Sequence, residues 1–323
     1  MKENSIKLLP VAIMAHNEES VIQRSVESVL RQKEPEGYSI RVIVVANGCN
    51  DRTEEIVKLL ETQFPKRIVL VSMKEKGKTK AINRAIGLFD ELLAGGFTIP
   101  YVIFLDADCD FYDKDVLVKI VTSFEVNPQL CAVSANCIPD VVFNSRKDIV
   151  AETYRAIYRL GESLTINSIS GMGYGIPFNI LKKVNFPEIQ FNEDMFVAAR
   201  LDGWFHRNKD IKIVFKTPAN LSNEIARRTR QEICTRRYKE YFCYLKEQGV
   251  KVRVFENVLG EEYKWFGPED NSWFKAWFKL KGRKEKLFVL VYVSIRMWAK
   301  ISALWTMAKI KRNTDLDFWK VLR

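Results

Sequence analysis

Histidine is scarce in this 323-residue chain: only His16 and His206 occur. The six cysteines, at 49, 109, 131, 137, 234 and 243, contain no C-x-x-C pair. A structural zinc built on that spacing is excluded, and nothing suggests a disulfide framework. The expected compartment is therefore the reducing cytoplasm. A leader is not expected either. In MKENSIKLLPVAIMAHNEES the apolar run is only about seven residues long and leads into acids, so it reads as a strand. Long uncharged runs are missing too. The apolar stretch Leu287–Ile310 is broken by Arg296, Lys300 and Lys309, which with Thr306 fall three to four apart. A membrane-crossing helix needs ~20 predominantly apolar residues, so an amphipathic helix is expected here instead. It would pack on the protein or lie in a membrane interface with Trp298 and Trp305 at the boundary. Internal repeats and low-complexity tracts are absent. With 47% hydrophobic and 28% charged residues, disordered, collagenous and coiled-coil classes drop out.

What is plentiful is positive charge. Lys and Arg total 51 against 40 Asp and Glu, a net charge of +11. Such a balance points to anionic partners: nucleotide phosphates, nucleic acid or an acidic membrane surface. Short apolar runs at Leu8–Met14, Ile40–Val45, Ile68–Ser72, Tyr101–Leu105 and Leu130–Ser134 alternate with helical patterns at 21–30, 51–60, 78–93, 116–124 and 149–160. Asp51 and Glu54 are spaced as a capping box for the second helix. Continuous apolar strands separated by helices predict an α/β fold, a mostly parallel sheet covered on both faces. In such sheets ligands gather at the carboxyl ends of the strands. Asn17-Glu18, Asn47–Asp51, Lys74–Lys78 and Asp106–Asp110 follow those strands.

The sharpest constellation is YVIFLDADCD, a buried strand ending in Asp106-Ala107-Asp108. Two carboxylates in that position are costly unless a cation neutralises them. A hard divalent ion shared with a diphosphate fits, since Mg²⁺ and Mn²⁺ prefer oxygen ligands; a solvated turn is the plainer alternative. A second acidic pair, Glu193-Asp194, opens the run Met195–Leu201. It serves either as a helix cap or as a general base. Gly171-Met172-Gly173-Tyr174-Gly175 fails G-x-G-x-x-G because position 176 is Ile176. KGKT at 76–79 fails the P-loop pattern because the required glycine is Ser72. What remains is backbone able to approach a ligand closely.

Taken in order and spacing, VAIMAHNEES, VVANGCNDRT, KGKTKAINRAI, FLDADCD and NEDMF resemble family 2 glycosyltransferases with the GT-A fold, over roughly residues 8–220. The resemblance implies a catalytic domain over 1–220 followed by a C-terminal helical, basic and aromatic extension over 221–323. It implies that Ala15, His16, Asn17, Glu18, Asn47 and Asp51 hold the nucleotide base and ribose, with Lys78 near the nucleotide. Asp106 and Asp108 match the D-x-D pair that binds Mn²⁺ or Mg²⁺ and the donor diphosphate, with Ala107 between them. Asp194, with Glu193 beside it, matches the catalytic base, and Gly173 with its neighbours the loop lining the sugar site. The Q-x-x-R-W motif of processive members is absent: Arg227-Arg228-Thr229-Arg230-Gln231 stands near its place and matches only Arg230, and this basic cluster either touches the diphosphate or is a plain solvated helix. The implied reaction is thus an inverting, metal-dependent transfer of one sugar from a nucleotide-sugar donor, UDP-sugars foremost. The acceptor would be a glycan, a lipid-linked glycan or a small molecule.

Two rival classes stay open on the residues alone. A sugar-phosphate nucleotidyltransferase also pairs a parallel sheet with a carboxylate-held metal, although its glycine-rich first turn is missing at His16-Asn17-Glu18-Glu19. A nucleic-acid-binding role would use the basic, aromatic C-terminal region, where Trp265, Phe266, Trp273, Phe274, Trp277 and Phe278 interleave with lysines. No RNP-like or finger motif accompanies them, so no nucleic acid is expected. The basic run Lys275–Lys286 and the amphipathic stretch after it suit an anionic membrane surface at the inner face, or a second copy of the chain.

Overall fold

The computed structural model describes residues 7–162, 169–188, 192–201, 204–247, 277, 280 and 282–312. Most of the basic and aromatic run, including Trp265, Phe266, Trp273, Phe274, Lys275, Phe278, Lys279 and Lys281, lies outside the described residues. The chain divides into two compact units, one made of 1–138 with 167–215, the other of 139–166 with 216–323.

In the first unit the anticipated strands form: β1 (Lys7–Ala15), β2 (Tyr38–Asn47), β3 (Ile68–Met73), β4 (Tyr101–Asp106) and β6 (Leu130–Pro139). Three more join them: β5 (Cys109–Phe111), β7 (Gly173–Pro177) and β8 (Trp204–Phe215). The sheet runs β3-β2-β1-β4-β7-β6-β8-β5. Its β3-β2-β1-β4 half is wholly parallel, whereas β7 runs antiparallel to β4 and β6, and β5 antiparallel to β8. Helices α1 (Ile22–Leu30), α2 (Thr53–Gln63), α3 (Lys78–Ala94), α4 (Val116–Val126), α6 (Phe178–Leu181) and α7 (Glu193–Arg200) complete this unit.

Central β1 is buried from Leu8 to Ala15, and yet contains Pro10. Proline cannot donate to a ladder. It is accommodated because the pairing of β1 with β4 begins one residue later, at Val11↔Ile103. The segment read as a glycine-rich loop is instead strand from Gly173 onward. A Cβ on Gly173 would stand 2.0 Å from Ile213 Cδ1, and one on Gly175 2.6 Å from Ile120 Cγ2. Those glycines let β7 lie flat against its neighbours. The capping box expected from Asp51 and Glu54 does not form. Helix α2 starts at Thr53 without a side-chain cap, because the Asp51 carboxylate is engaged by Thr53 and Glu19.

The second unit is helical: α5 (Ile149–Glu162), α8 (Leu221–Glu247) and α9 (Arg283–Arg312). The division therefore does not fall at residue 220. Helix α5 belongs with the C-terminal helices, because Ala156 and Leu160 share a buried cluster with Val289. The arginines expected as a solvated basic face or a diphosphate contact turn inward. Glu224, 1% exposed, accepts from Arg228 Nε at 2.7 Å, Arg227 Nε at 3.3 Å and the Tyr154 hydroxyl at 2.9 Å. The guanidinium of Arg228 also stacks 5.1 Å from the Tyr292 ring. Arg230 remains exposed on α8.

Burial opposes ionisation of Glu224, yet Arg228 and Arg227 hold its carboxyl below the usual range. A lowered folded-state value means a contribution fully present above pH 4.5 and lost as pH falls through it. Glu224→Ala would strand two inward-turned guanidinium groups and should cost about 3–5 kcal/mol. Its melting temperature should fall well below wild type at pH 7, with the gap narrowing in acid. Equal melting curves at pH 7 would show that the cluster holds nothing together.

Candidate active site

The site is built on the carboxyl ends of the four parallel strands. Asn47 ends β2, is 4% exposed, and ties three loops together. Its Nδ2 donates to the Ala15 carbonyl at 2.8 Å, and its Oδ1 accepts from Gly77 N–H at 3.1 Å. His16 Nδ1, 2.7 Å from the Asn47 carbonyl, must be the donor, because a carbonyl only accepts. The amide of Asn47 thus has one bond at each end inside the protein and braces the three loops against one another. The following Gly48 sits at φ +59°, where a Cβ would meet Lys76 Cγ at 2.6 Å. Only glycine brings the second and third loops this close.

The first two loops are stitched reciprocally. Asn17, itself at φ +59°, accepts from Asn50 N–H at 2.9 Å; Glu18 N–H donates to Thr53 Oγ1 at 2.8 Å; Glu19 Oε2 accepts from Arg52 N–H at 3.0 Å. Asp51 accepts from Thr53 Oγ1 at 2.6 Å and from Glu19 N–H at 3.1 Å. Against the effect of burial, the Thr53 hydrogen bonds hold the Asp51 carboxyl below its usual range. Ala15, His16, Asn17, Glu18, Asn47 and Asp51 therefore form one braced platform.

Beside it lies the acidic centre. Lys78 opens α3 and directs its ammonium at two carboxylates, Asp106 Oδ1 at 2.6 Å and Glu193 Oε1. These three residues come from the start of α3, the end of β4 and the start of α7, and one half-buried cation joins them. Burial disfavours the Lys78 charge, but Asp106 and then Glu193 raise its pKa well above the ordinary value. Burial pushes the Glu193 carboxyl up to about 7, with Lys78 pulling against it. Asp194, half-buried, is oriented by backbone donors: Met195 N–H at 2.8 Å on Oδ1 and Gly171 N–H at 3.1 Å on Oδ2.

The expectation for Gly173 needs correction. Gly173 is buried in β7, whereas Gly171 stands at the acids, its Cβ position 3.0 Å from Glu193 Oε1 and 3.2 Å from Asp194 Oδ2. Tyr174, absent from the sequence-based set, lines a small cavity with Lys78, Asp106, Gly171 and Glu193, and its buried hydroxyl has no hydrogen-bond partner among the described residues. Its side chain alternates to the face of β7 opposite Gly173 and Gly175, a signal visible only once that segment is known to be a strand. Arg230 belongs to the other unit.

Among the described residues, no three His, Cys, Asp or Glu side chains converge to hold an ion by themselves. Asp106 and half-buried Asp108, one residue apart at a strand end, supply two carboxylates. That is the donor set of a hard divalent ion that completes its shell with phosphate oxygens and water, and the residues fit such a group. Cys109 Sγ lies 3.5 Å from Asp108 Oδ1. Burial, then Asp108, raises the pKa of that thiol far above its ordinary value, so Cys109 acts as an apolar wall rather than a thiolate ligand.

A braced platform beside a D-x-D pair and an oriented carboxylate, on a mixed sheet of this order, is the arrangement of a GT-A nucleotide-sugar transferase. Residues 11–184, more than half of the chain, match the model of glycosyl transferase family 2, and the chain belongs to that family. It is a glycosyltransferase, which removes the nucleotidyltransferase reading. Among solved structures, it is similar to the mannosyltransferase PcManGT from Pyrobaculum calidifontis in complex with GDP-Man and Mn²⁺. The TM-score is 0.59 at 18% identity, over 92% of this chain and 87% of that one. No curated protein matches the chain.

Replacing Lys78 by Met leaves Asp106 and Glu193 buried without their shared cation, at a cost of about 2–4 kcal/mol. Without the ammonium, the Glu193 carboxyl rises further. A raised folded-state value means stability present below pH 4.5 and lost as pH climbs through it. Wild type stops losing stability near pH 7, where Glu193 titrates, while the variant goes on losing it, so the deficit of Lys78→Met should grow from about pH 7 to about pH 9 on thermal unfolding. A deficit constant across that window would mean that Glu193 does not face the ammonium.

Proposed function

We propose that the protein transfers a single sugar, with inversion, from a nucleoside diphosphate sugar to an acceptor hydroxyl, with Asp194 as the general base. The observation that carries this reading is the fixation of the Asp194 carboxylate by two backbone N–H groups, Met195 and Gly171, beside the Asp106-Ala107-Asp108 turn. A carboxylate so held keeps its orientation and is ready to accept a proton. Its neighbour Glu193 suits a different task, since it is buried and committed to Lys78. Lys78 in turn keeps Asp106 and Glu193 from repelling each other while the site is empty of donor.

In the proposed reaction the acceptor O–H gives its proton to Asp194 as its oxygen bonds to the anomeric carbon. The bond from that carbon to the diphosphate oxygen breaks from the opposite face, and the electron pair leaves with the nucleoside diphosphate. A divalent ion held by Asp106 and Asp108 would supply positive charge against the departing diphosphate. Gly171 leaves room above Asp194 that a side chain would fill. The platform of Ala15, His16, Asn17, Glu18 and Asp51 is the proposed seat of the nucleoside. UDP-sugars are the donors the family resemblance implies; GDP-mannose is the second reading, because the similar mannosyltransferase holds GDP-Man. The acceptor is a glycan, a lipid-linked glycan or a small molecule.

Thermal unfolding with UDP or GDP, in Mn²⁺, Mg²⁺ or EDTA, reads the donor site. A nucleotide at ~100 times its dissociation constant adds ~2.7 kcal/mol, and that shift should require metal and vanish in Asp108→Ala. Asp194→Asn should keep the shift and lose transfer by ~10²–10⁴-fold. Transfer at the wild-type rate in Asp194→Asn would remove the base from this residue. A nucleotide shift undiminished by EDTA would remove the metal.

A further inference from the structure

Helix α9 has two unlike faces. Val289, Tyr292, Ile295, Ala299 and Ala303 recur at helical spacing and are buried, and the helix packs on α5 and α8 of its own unit. Turned away from them is a second stripe that begins at Leu287 and holds Leu290, Met297, Trp298, Ile301, Leu304 and Trp305. Every one of these is more than half exposed, Trp298 at 60% and Trp305 at 67%. Ser294 and Ala308 fill its remaining exposed positions, so no charged side chain interrupts it between Leu287 and Ala308. At 1.5 Å per residue the stripe is about 30 Å long. A contiguous apolar surface of that extent marks an interaction site.

Charge and topology together identify the occupant. The cations border the stripe: Arg283 and Lys284 are exposed at its N-terminal end, and Lys286 and Lys300 lie along its flank, half-buried. Arg296 and Lys300 are half-buried, while the large apolar groups face outward. An apolar stripe with tryptophans, edged by lysines, matches the boundary between acyl chains and anionic headgroups. By length and composition α9 would also suffice to cross a bilayer. Its inner face argues otherwise. That face packs on α8, which carries the ion pairs of Glu224 with Arg227 and Arg228 and of Glu232 with Arg236. A crossing would draw those charges into hydrocarbon, where they are expensive.

We propose that α9 is an interfacial helix lying in the plane of an anionic bilayer, with the Leu287–Ala308 stripe at the acyl boundary and Lys284, Lys286 and Lys300 at the lipid phosphates. This holds the enzyme at the membrane surface, independently of which donor it uses.

The test is sedimentation of the full chain with vesicles of phosphatidylcholine alone or mixed with phosphatidylglycerol. Binding should be at least ~10-fold tighter to the anionic vesicles at low salt and weaken as salt is raised. Trp298→Glu combined with Trp305→Glu should reduce it by ~10-fold or more, while helicity and the metal-dependent nucleotide shift stay as in wild type. Lipids brominated near the carbonyl should quench the wild-type tryptophans more than lipids brominated at the chain end, and Trp298→Phe with Trp305→Phe should lose that quenching. Failure of the wild type to bind anionic vesicles overturns the proposal, as does binding that the paired Glu substitutions leave intact. Stronger quenching from the chain end would make α9 a crossing helix. A dimer abolished by the same Glu pair, with no vesicle binding, would assign the face to a second copy of the chain.

Discussion

One ammonium group organises the catalytic unit. Lys78 stands between Asp106 and Glu193, and each of the three opens or ends a different element. Glu193 could not be buried there alone, beside half-buried Asp106, since an uncompensated buried charge costs several kcal/mol. With Lys78 present, β4 can end in an acid and α7 can begin with one at the same place. Asp194 is then positioned as a consequence: Glu193 anchors the first turn of α7, and the next residue meets the Gly171 and Met195 amides. The two acids are adjacent in sequence but are separated by environment. Glu193 is buried against a cation, and Asp194 is half-buried on backbone donors.

The loops after β1 and β2 have a matching device in Asn47. Its amide connects the ends of β1 and β2 to the start of α3. The platform is therefore rigid before any ligand arrives, and less ordering is left for binding to impose. Gly48 makes this closure possible by admitting the Lys76 side chain where a Cβ would be.

Much of this was legible in the sequence. Continuous apolar strands at 8–14, 40–45, 68–72 and 101–105 exposed the parallel half of the sheet, and the polar residues after them gather at the carboxyl ends of those strands. The antiparallel half was not legible, for physical reasons. Gly173-Tyr174-Gly175 looks like loop chemistry because its glycines serve packing against Ile213 and Ile120, a contact made across the sheet. Strand β8, WFHRNKDIKIVF, carries too much charge to read as apolar. Gly171 could not be told from Gly173 until the strand boundary was known. The bracing by the Asn47 amide was not legible either, because nothing local reveals its bonds to Ala15 and Gly77. Likewise the arginines of α8 read as solvated, since their partner Glu224 is one acid among many until its burial is seen.

The central claim is that the carboxyl cluster beside Lys78 is the donor site of a glycosyltransferase. Diffraction from crystals grown with Mn²⁺ and a nucleoside diphosphate tests it most directly, because the anomalous signal of manganese locates the ion without assumption. The account predicts one manganese peak against Asp106 and Asp108, with diphosphate oxygens completing its shell and the nucleoside on the Ala15–Glu18 platform. Manganese bound elsewhere, or a diphosphate that touches neither aspartate, would contradict it.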